Sequence, residues 1–162
     1  MNLDKFEFRK LYKNEFYEAS KLIWNVFIEF EAPEYSNEGI MTFKEFINPD
    51  KLYENSKNGF MSFGGCFDKE ELIGIIASRE GYHISLLFVN KEYHHKGIAK
   101  KLFNKLKMEI AQNNSSIKFI TVNSSPFAVK IYERLGFIAT DKELIQDGIR
   151  FTPMKYVLSQ DF

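Results

Sequence analysis

The chain has 162 residues, 44% of them hydrophobic and 16% aromatic with 17 phenylalanines, which suits one folded domain over residues 1–162 and excludes a disordered or fibrous chain. Lysine plus arginine and aspartate plus glutamate number 22 each, so a formal net charge of zero gives no general attraction to nucleic acid or an acidic membrane. The lone Cys66 excludes an internal disulfide, the Cys/His spacings of zinc sites are missing, and neither a secretory leader nor an apolar run of the ~18 residues a membrane span needs is present, so the expectation is a cytoplasmic protein.

Phe6, Phe8, Leu11 and Tyr12 predict a short first strand over about 6–12. Asn14 then offers a cap to an amphipathic helix from Glu15 to about Glu31, with Phe16, Ala19, Leu22, Ile23, Val26, Phe27 and Phe30 at steps of three and four, ended by Pro33. A second helical pattern, Ile40, Phe43, Phe46 and Ile47, starts near Asn37 or Glu38 and stops before Pro49; Leu52 and Tyr53 allow one more turn before Asn58-Gly59. From Phe60 the pattern turns to strands: "FMSFGGCFD" and "ELIGIIASRE" as a hairpin, then "YHISLLFVN". Residues 97 to about 112 return to a helical period through Ile98, Leu102, Leu106 and Ile110. Strand "FITVNSS", helix "FAVKIYERLGF" closed by Gly136, and two strands near 137–144 and 149–158 around Asp147-Gly148 complete the chain. This order defines a mixed α/β fold, a mostly antiparallel sheet of about six or seven strands with about four helices, in which a crossover helix leads to a parallel strand. Such a crossover tends to put a ligand where the strand ends meet the helix start.

The turn His94-His95-Lys96-Gly97-Ile98-Ala99 lies there. Free N–H groups and the dipole of a helix start make an anion site; Gly97 lets a phosphate approach the backbone, Ala99 leaves the first turn uncrowded, and Lys96, Lys100 and Lys101 add positive charge. A plain helix cap with a solvated lysine face would look the same by itself. Asn123 at a strand end and Tyr132 in the next helix, in the spacing Asn-x8-Tyr-x3-Gly-Phe, point to the same end of the sheet. As a metal site the His94-His95 pair is poor, because adjacent side chains diverge and no carboxylate or thiol completes a ligand set, so no metal is expected.

"VNKEYHHKGIAKKLF" and "ITVNSSPFAVKIYERLGF" resemble the pyrophosphate-binding segment and the following segment of the GNAT superfamily of N-acetyltransferases, the likeness covering about 60–158 in element order. His94 stands where that family has Gln or Arg. The resemblance implies a sheet splayed between its fourth and fifth strands and acetyl-CoA in the gap. Backbone groups of Leu87, Phe88 and Val89 would pair with its pantetheine arm, the amides from His95 through Lys96, Gly97, Ile98 and Ala99 to Lys100 would hold the pyrophosphate, and Asn123 would align the arm. It further implies that Tyr132 protonates the departing thiolate in a direct transfer of the acetyl group to a primary amine; an aromatic packed beside Ile131 or Leu135 is the plainer alternative. A covalent route through Cys66 is disfavoured, since that residue lies far upstream on a meander strand.

The base is open. His83 alternates with Ser85 and Leu87 on one strand face, where it either accepts a proton from the amine or is a half-exposed strand histidine without a role. Glu29, Glu31 and Glu34 form an acidic end to the first helix that either attracts an ammonium group or is solvated surface. Tyr35 is a candidate for the acceptor pocket, and Trp24 for the pocket or the core. The acceptor is expected to be an amine on a small molecule, a polyamine-like compound or a peptide terminus. A CoA-binding or regulatory module with little catalysis is the alternative; a nucleic-acid role for the lysine helix lacks stacking aromatics. A homodimer through the terminal strands is compatible with the sequence.

Overall fold

The computed structural model describes residues 2–158. Strand β1 (Phe6–Lys10) leads into helix α1 (Phe16–Phe30), followed by α2 (Asn37–Phe46) and α3 (Pro49–Lys57). Strands β2 (Met61–Asp68), β3 (Glu71–Arg79) and β4 (His83–Val89) form the meander, and α4 (Ile98–Asn113) crosses to β5 (Phe119–Ser124). Helix α5 (Val129–Leu135) and strands β6 (Ile138–Ala139), β7 (Leu144–Gln146) and β8 (Ile149–Val157) follow. The sheet order is β1-β2-β3-β4-β5-β8-β6 with β7 paired to β8, and every pairing is antiparallel except β4 with β5.

Two hydrophobic clusters fix the layers. Phe16, Ala19, Leu22, Ile23, Val26 and Phe27 of α1 pack with Leu52 of α3 and with Phe63, Ile75, Leu86 and Phe88 on one sheet face. On the other, Ile98, Leu102, Phe103, Leu106 and Ile110 of α4 pack with Cys66, Ile73, Ile76, Ile84 and Ile120, joined by Tyr132 of α5 and by Phe137. The steps of three and four read in α1 and α4 are the buried stripes of these helices. Phe27 is wholly buried and stacks on Phe43 of α2 at 4.1 Å, so truncating it to alanine would cost about 3–5 kcal/mol.

The second helix stops before Pro49, as the pattern predicts, and the further turn read at Leu52 and Tyr53 is a helix of its own. Pro49 is the first residue of α3, where its missing N–H costs nothing, and Asn48 caps the helix by accepting from the Asp50 and Lys51 amides. One strand expected over 137–144 is two short ones, β6 and β7, both laid against β8.

The sheet opens between β4 and β5. Their register covers only His83 with Thr121 and Ile84 with Val122, extended by the Thr121 amide donating to the Tyr82 carbonyl; from Ser85 onward β4 runs unpaired on this side. Ser85 is itself the extra residue of a bulge, since Ala77 faces Leu86 and Ser78 faces Ile84. The Asn90 amide donates to Ile73 O, and alternation along an antiparallel pair then turns Phe88 and Leu86 towards β3 and the backbone groups of Leu87 and Val89 into the gap.

Candidate active site

Two cavities meet at the opening. One of about 550 Å³ lies between the end of β4, the start of α4 and α5, walled by Leu87, Val89, His95, Gly97, Ala99 and Lys100 among others. The second, about 400 Å³, is walled by Tyr35, Phe43 and Phe46 from the α1–α2 region, by Arg79, His83 and Ser85, and by Asn123 and Ile149. Glu31, Leu87, Phe88, Ala128 and Tyr132 line both, so the two spaces share one wall.

The first cavity offers backbone donors. Gly97 precedes α4 at φ 85°, a conformation that disfavours a side chain, and His95 shares the left-handed region at φ 62°. The Lys101 amide bonds to Gly97 O as the first turn closes, which leaves the amides of Ile98, Ala99 and Lys100 free of helical partners and aimed outward. Free donors, a positive helix end and the lysine beside them suit a phosphorylated ligand, and the unpaired edge at Leu87 suits an extended arm carrying amide groups. Of the residues expected to hold the cofactor, Leu87, Phe88, Val89, His94, His95, Gly97, Ile98, Ala99 and Lys100 line this cavity; Lys96, partly buried, is not among its lining residues, and Asn123 lines the second cavity instead.

His94 does not reach along the helix start as a Gln or Arg would. Its Nε2 lies 2.7 Å from the Val89 carbonyl, which fixes it as the donor, and its ring packs on Phe30 at 5.3 Å. Phe30 also meets Phe127 at 5.2 Å, so rings from α1, the β4–α4 turn and the loop before α5 form one wall of the cavity. Neither was expected at the site: Phe30 ends the periodic stripe of α1 and reads as core, and Phe127, in a loop, carries no periodic signal. The His94 and His95 rings stand 6.2 Å apart at 88°, and no three metal-ligating side chains converge among the described residues.

Tyr132 is 6% exposed and crossed edge-on by Phe137 at 5.3 Å. Burial, and secondarily Glu31, raise its pKa far above the ordinary phenol value, so it stays protonated at any physiological pH. Tyr35, crossed by Phe27 at 5.2 Å, is raised for the same two reasons. His83 has Nδ1 2.8 Å from Thr121 Oγ1, and burial, then the charge of Arg79, push its pKa down to about 4. Ser85 Oγ, beside it, is buried with no hydrogen-bond partner.

The three glutamates part company. Glu29 is exposed and pairs with Lys91 at 3.2 Å; Glu34 pairs with Arg150 at 3.0 Å. Glu31 is only 9% exposed, and burial pushes its pKa up to about 7 against the opposing effect of the Ser125 hydroxyl. Trp24 stacks on Phe27 at 5.7 Å outside both cavities. Cys66 is wholly buried in β2 with its thiol pushed up to about 12, chiefly by burial, and so is no nucleophile.

Above the second cavity, the β7–β8 turn is seated on α2. Ser36 Oγ accepts from the Gly39 amide and donates to Gly148 O at 3.2 Å, Thr42 Oγ1, which donates to Glu38 O at 2.9 Å, lies 3.4 Å from Asp147 O, and the Gly39 α-carbon lies so close that a β-carbon there would overlap the Gly148 carbonyl. Arg150 bridges Glu34 and Glu143 across the same seam.

A family model described as Acetyltransferase (GNAT) domain matches residues 31–158, and the chain belongs to that family. Comparison with curated proteins returned no match. Among solved structures, the chain is similar to the PaiA N-acetyltransferase of Thermoplasma acidophilum in complex with coenzyme A, at 22% identity over 94% of this chain and 99% of that one, with a TM-score of 0.77. It is also similar to the spermidine N-acetyltransferase of Vibrio cholerae in complex with CoA and spermine (18% identity, 95% and 96% of the two chains, TM-score 0.65). A third likeness is to an aminoglycoside 6'-N-acetyltransferase complexed with coenzyme A (13%, 96% and 99%, 0.66). At these identities the likeness speaks for the fold.

Proposed function

We propose that the chain transfers the acetyl group of acetyl-CoA directly to a primary amine of a small molecule or peptide, with both substrates bound at once. The observation that carries this reading is the wall shared by the two cavities, with the protonated phenol of Tyr132 in it. Acetyl-CoA fits the α4 side, with its pyrophosphate on the amides of Ile98, Ala99 and Lys100 and its pantetheine along the gap-facing groups of Leu87; it supplies an activated acyl carbon. The amine enters from the side of Tyr35, Phe43 and Asn123.

When the amine attacks the thioester carbon, the C–N bond forms and the C–S bond breaks, and Tyr132 donates its proton to the leaving sulfur. Its raised pKa keeps the phenol protonated at neutral pH. His83, with a depressed pKa and Nδ1 beside Thr121, fits an orienting hydrogen bond to the acceptor better than proton uptake at neutral pH.

Release of free thiol from acetyl-CoA with a panel of amines tests the reading. CoA binding without turnover on any of them would favour the binding-module alternative. Tyr132→Phe is expected to lower kcat about 100-fold with little change in the KM for acetyl-CoA, and an unaltered kcat at every pH would remove Tyr132 as the acid.

A further inference from the structure

We infer that Glu31 is the catalytic base of this transfer, its carboxylate receiving the acceptor's ammonium group and taking a proton from it. This rests on the acetyltransferase reading above. The chain closes α1 with the Glu31 amide donating to Phe27 O, then turns through Ala32–Glu34 with Pro33 in that turn, and this break carries Glu31 inward to the junction of the two cavities. Its neighbours Glu29 and Glu34 have cationic partners at the surface, whereas among the described residues no cation pairs with Glu31. A buried carboxylate without a cationic partner is costly, and it is relieved by a proton or by an incoming ammonium, which are the two states a base alternates between.

The groups facing it agree with this role. Tyr35 and Tyr132 both sense its charge, and the Ser125 hydroxyl favours its ionised form. Further along the walls stand Arg79 and His83 on one side, and Tyr93, His94, His95, Lys100, Lys130 and Arg134 on the other. The ordinary acidity of a carboxyl would make it a weak base; burial lifts Glu31 to about 7, near the pH at which it has to work. The balance closes with two protons. The ammonium gives its first to Glu31, which frees the nitrogen lone pair and passes the proton to water. The second, shed once the C–N bond has formed, restores the Tyr132 phenol after its own proton has gone to sulfur.

E31Q should lower kcat/KM by about 100-fold or more and abolish an acidic limb near pH 7 that the wild type shows. H83A should keep that limb; loss of the limb in H83A and its survival in E31Q would overturn the assignment. A second measurement needs no acceptor. The folded pKa of Glu31 lies above the ~4.3 of an unfolded glutamate, so the wild type loses stability as pH rises from about 5 through 7 while E31Q does not. The Tm advantage of E31Q should therefore widen between pH 5 and 8. A constant gap would overturn the buried, unpaired carboxylate and the inference with it. A widening gap in a protein that acetylates no amine would instead overturn the acetyltransferase reading.

The make-up of the acceptor cavity carries a second inference: we propose that the acceptor bears one amine on an apolar, aromatic-compatible body and is not a polyamine. Tyr35, Phe43, Phe46 and Phe60 supply rings, Glu31 is the only acid lining the cavity among the described residues, and Arg79 adds a cation to the same wall, which disfavours a second ammonium. With 2-phenylethylamine and spermidine compared at equal concentration, kcat/KM should favour the first by roughly tenfold or more, and R79E should narrow that ratio. Equal or better turnover of spermidine by the wild type would overturn it.

Discussion

The α4 side and the α2 side of the cleft are built from different materials. Around α4 the groups proposed to hold the donor are backbone amides and the free edge of β4, held by helix geometry and sheet register whatever the side chains are. Around α2 the work falls to side chains: Glu31, Tyr35, Phe43 and Arg79 come from separate elements and meet only through packing. A backbone site can stay fixed while the side chains of the opposite wall change.

The sharpest way to break this asymmetry is Gly39→Ala. The new β-carbon would press on the Gly148 carbonyl, and we expect a loss of about 2–3 kcal/mol in thermal unfolding, with the amine KM raised and the acetyl-CoA KM nearly unmoved. Gly97→Ala should do the converse. Forcing a side chain to φ 85° costs about 1–2 kcal/mol at the start of α4, to be read as an acetyl-CoA KM raised roughly tenfold at unchanged amine KM. Smallest is Lys100→Ala, worth under about 1 kcal/mol in CoA affinity and fading as salt is added, because the exposed charge is screened. If Gly97→Ala shifted both constants equally, the two sides would not be separable.

The same asymmetry explains what could be read from sequence. The Gly97 turn, the α5 helix closed by Gly136 at φ 109° and the Asp147-Gly148 turn are local conformations dictated by local residue types, and they stand where the spacing put them. The stop before Pro49 was legible too, but the single turn read after it is a nine-residue helix, because Pro49 sits at its first position and Asn48 is free to cap it. Glu29, Glu31 and Glu34 look alike in the sequence. Only tertiary packing gives Lys91 to one and Arg150 to another and leaves the third inside. The lysine at 96, by contrast, carries the right charge in the right motif yet does not line the cavity, since position in a motif does not fix where a side chain on a turn is directed.

Cys66 offers a practical handle. Since the only thiol of the chain is sealed in β2 and held unionised, a colorimetric thiol reagent added to the native protein would see released CoA against almost no background. The same sulfur, reached by the reagent only when the meander comes apart, would then count molecules that open, so one chemistry can report turnover at low temperature and unfolding at high.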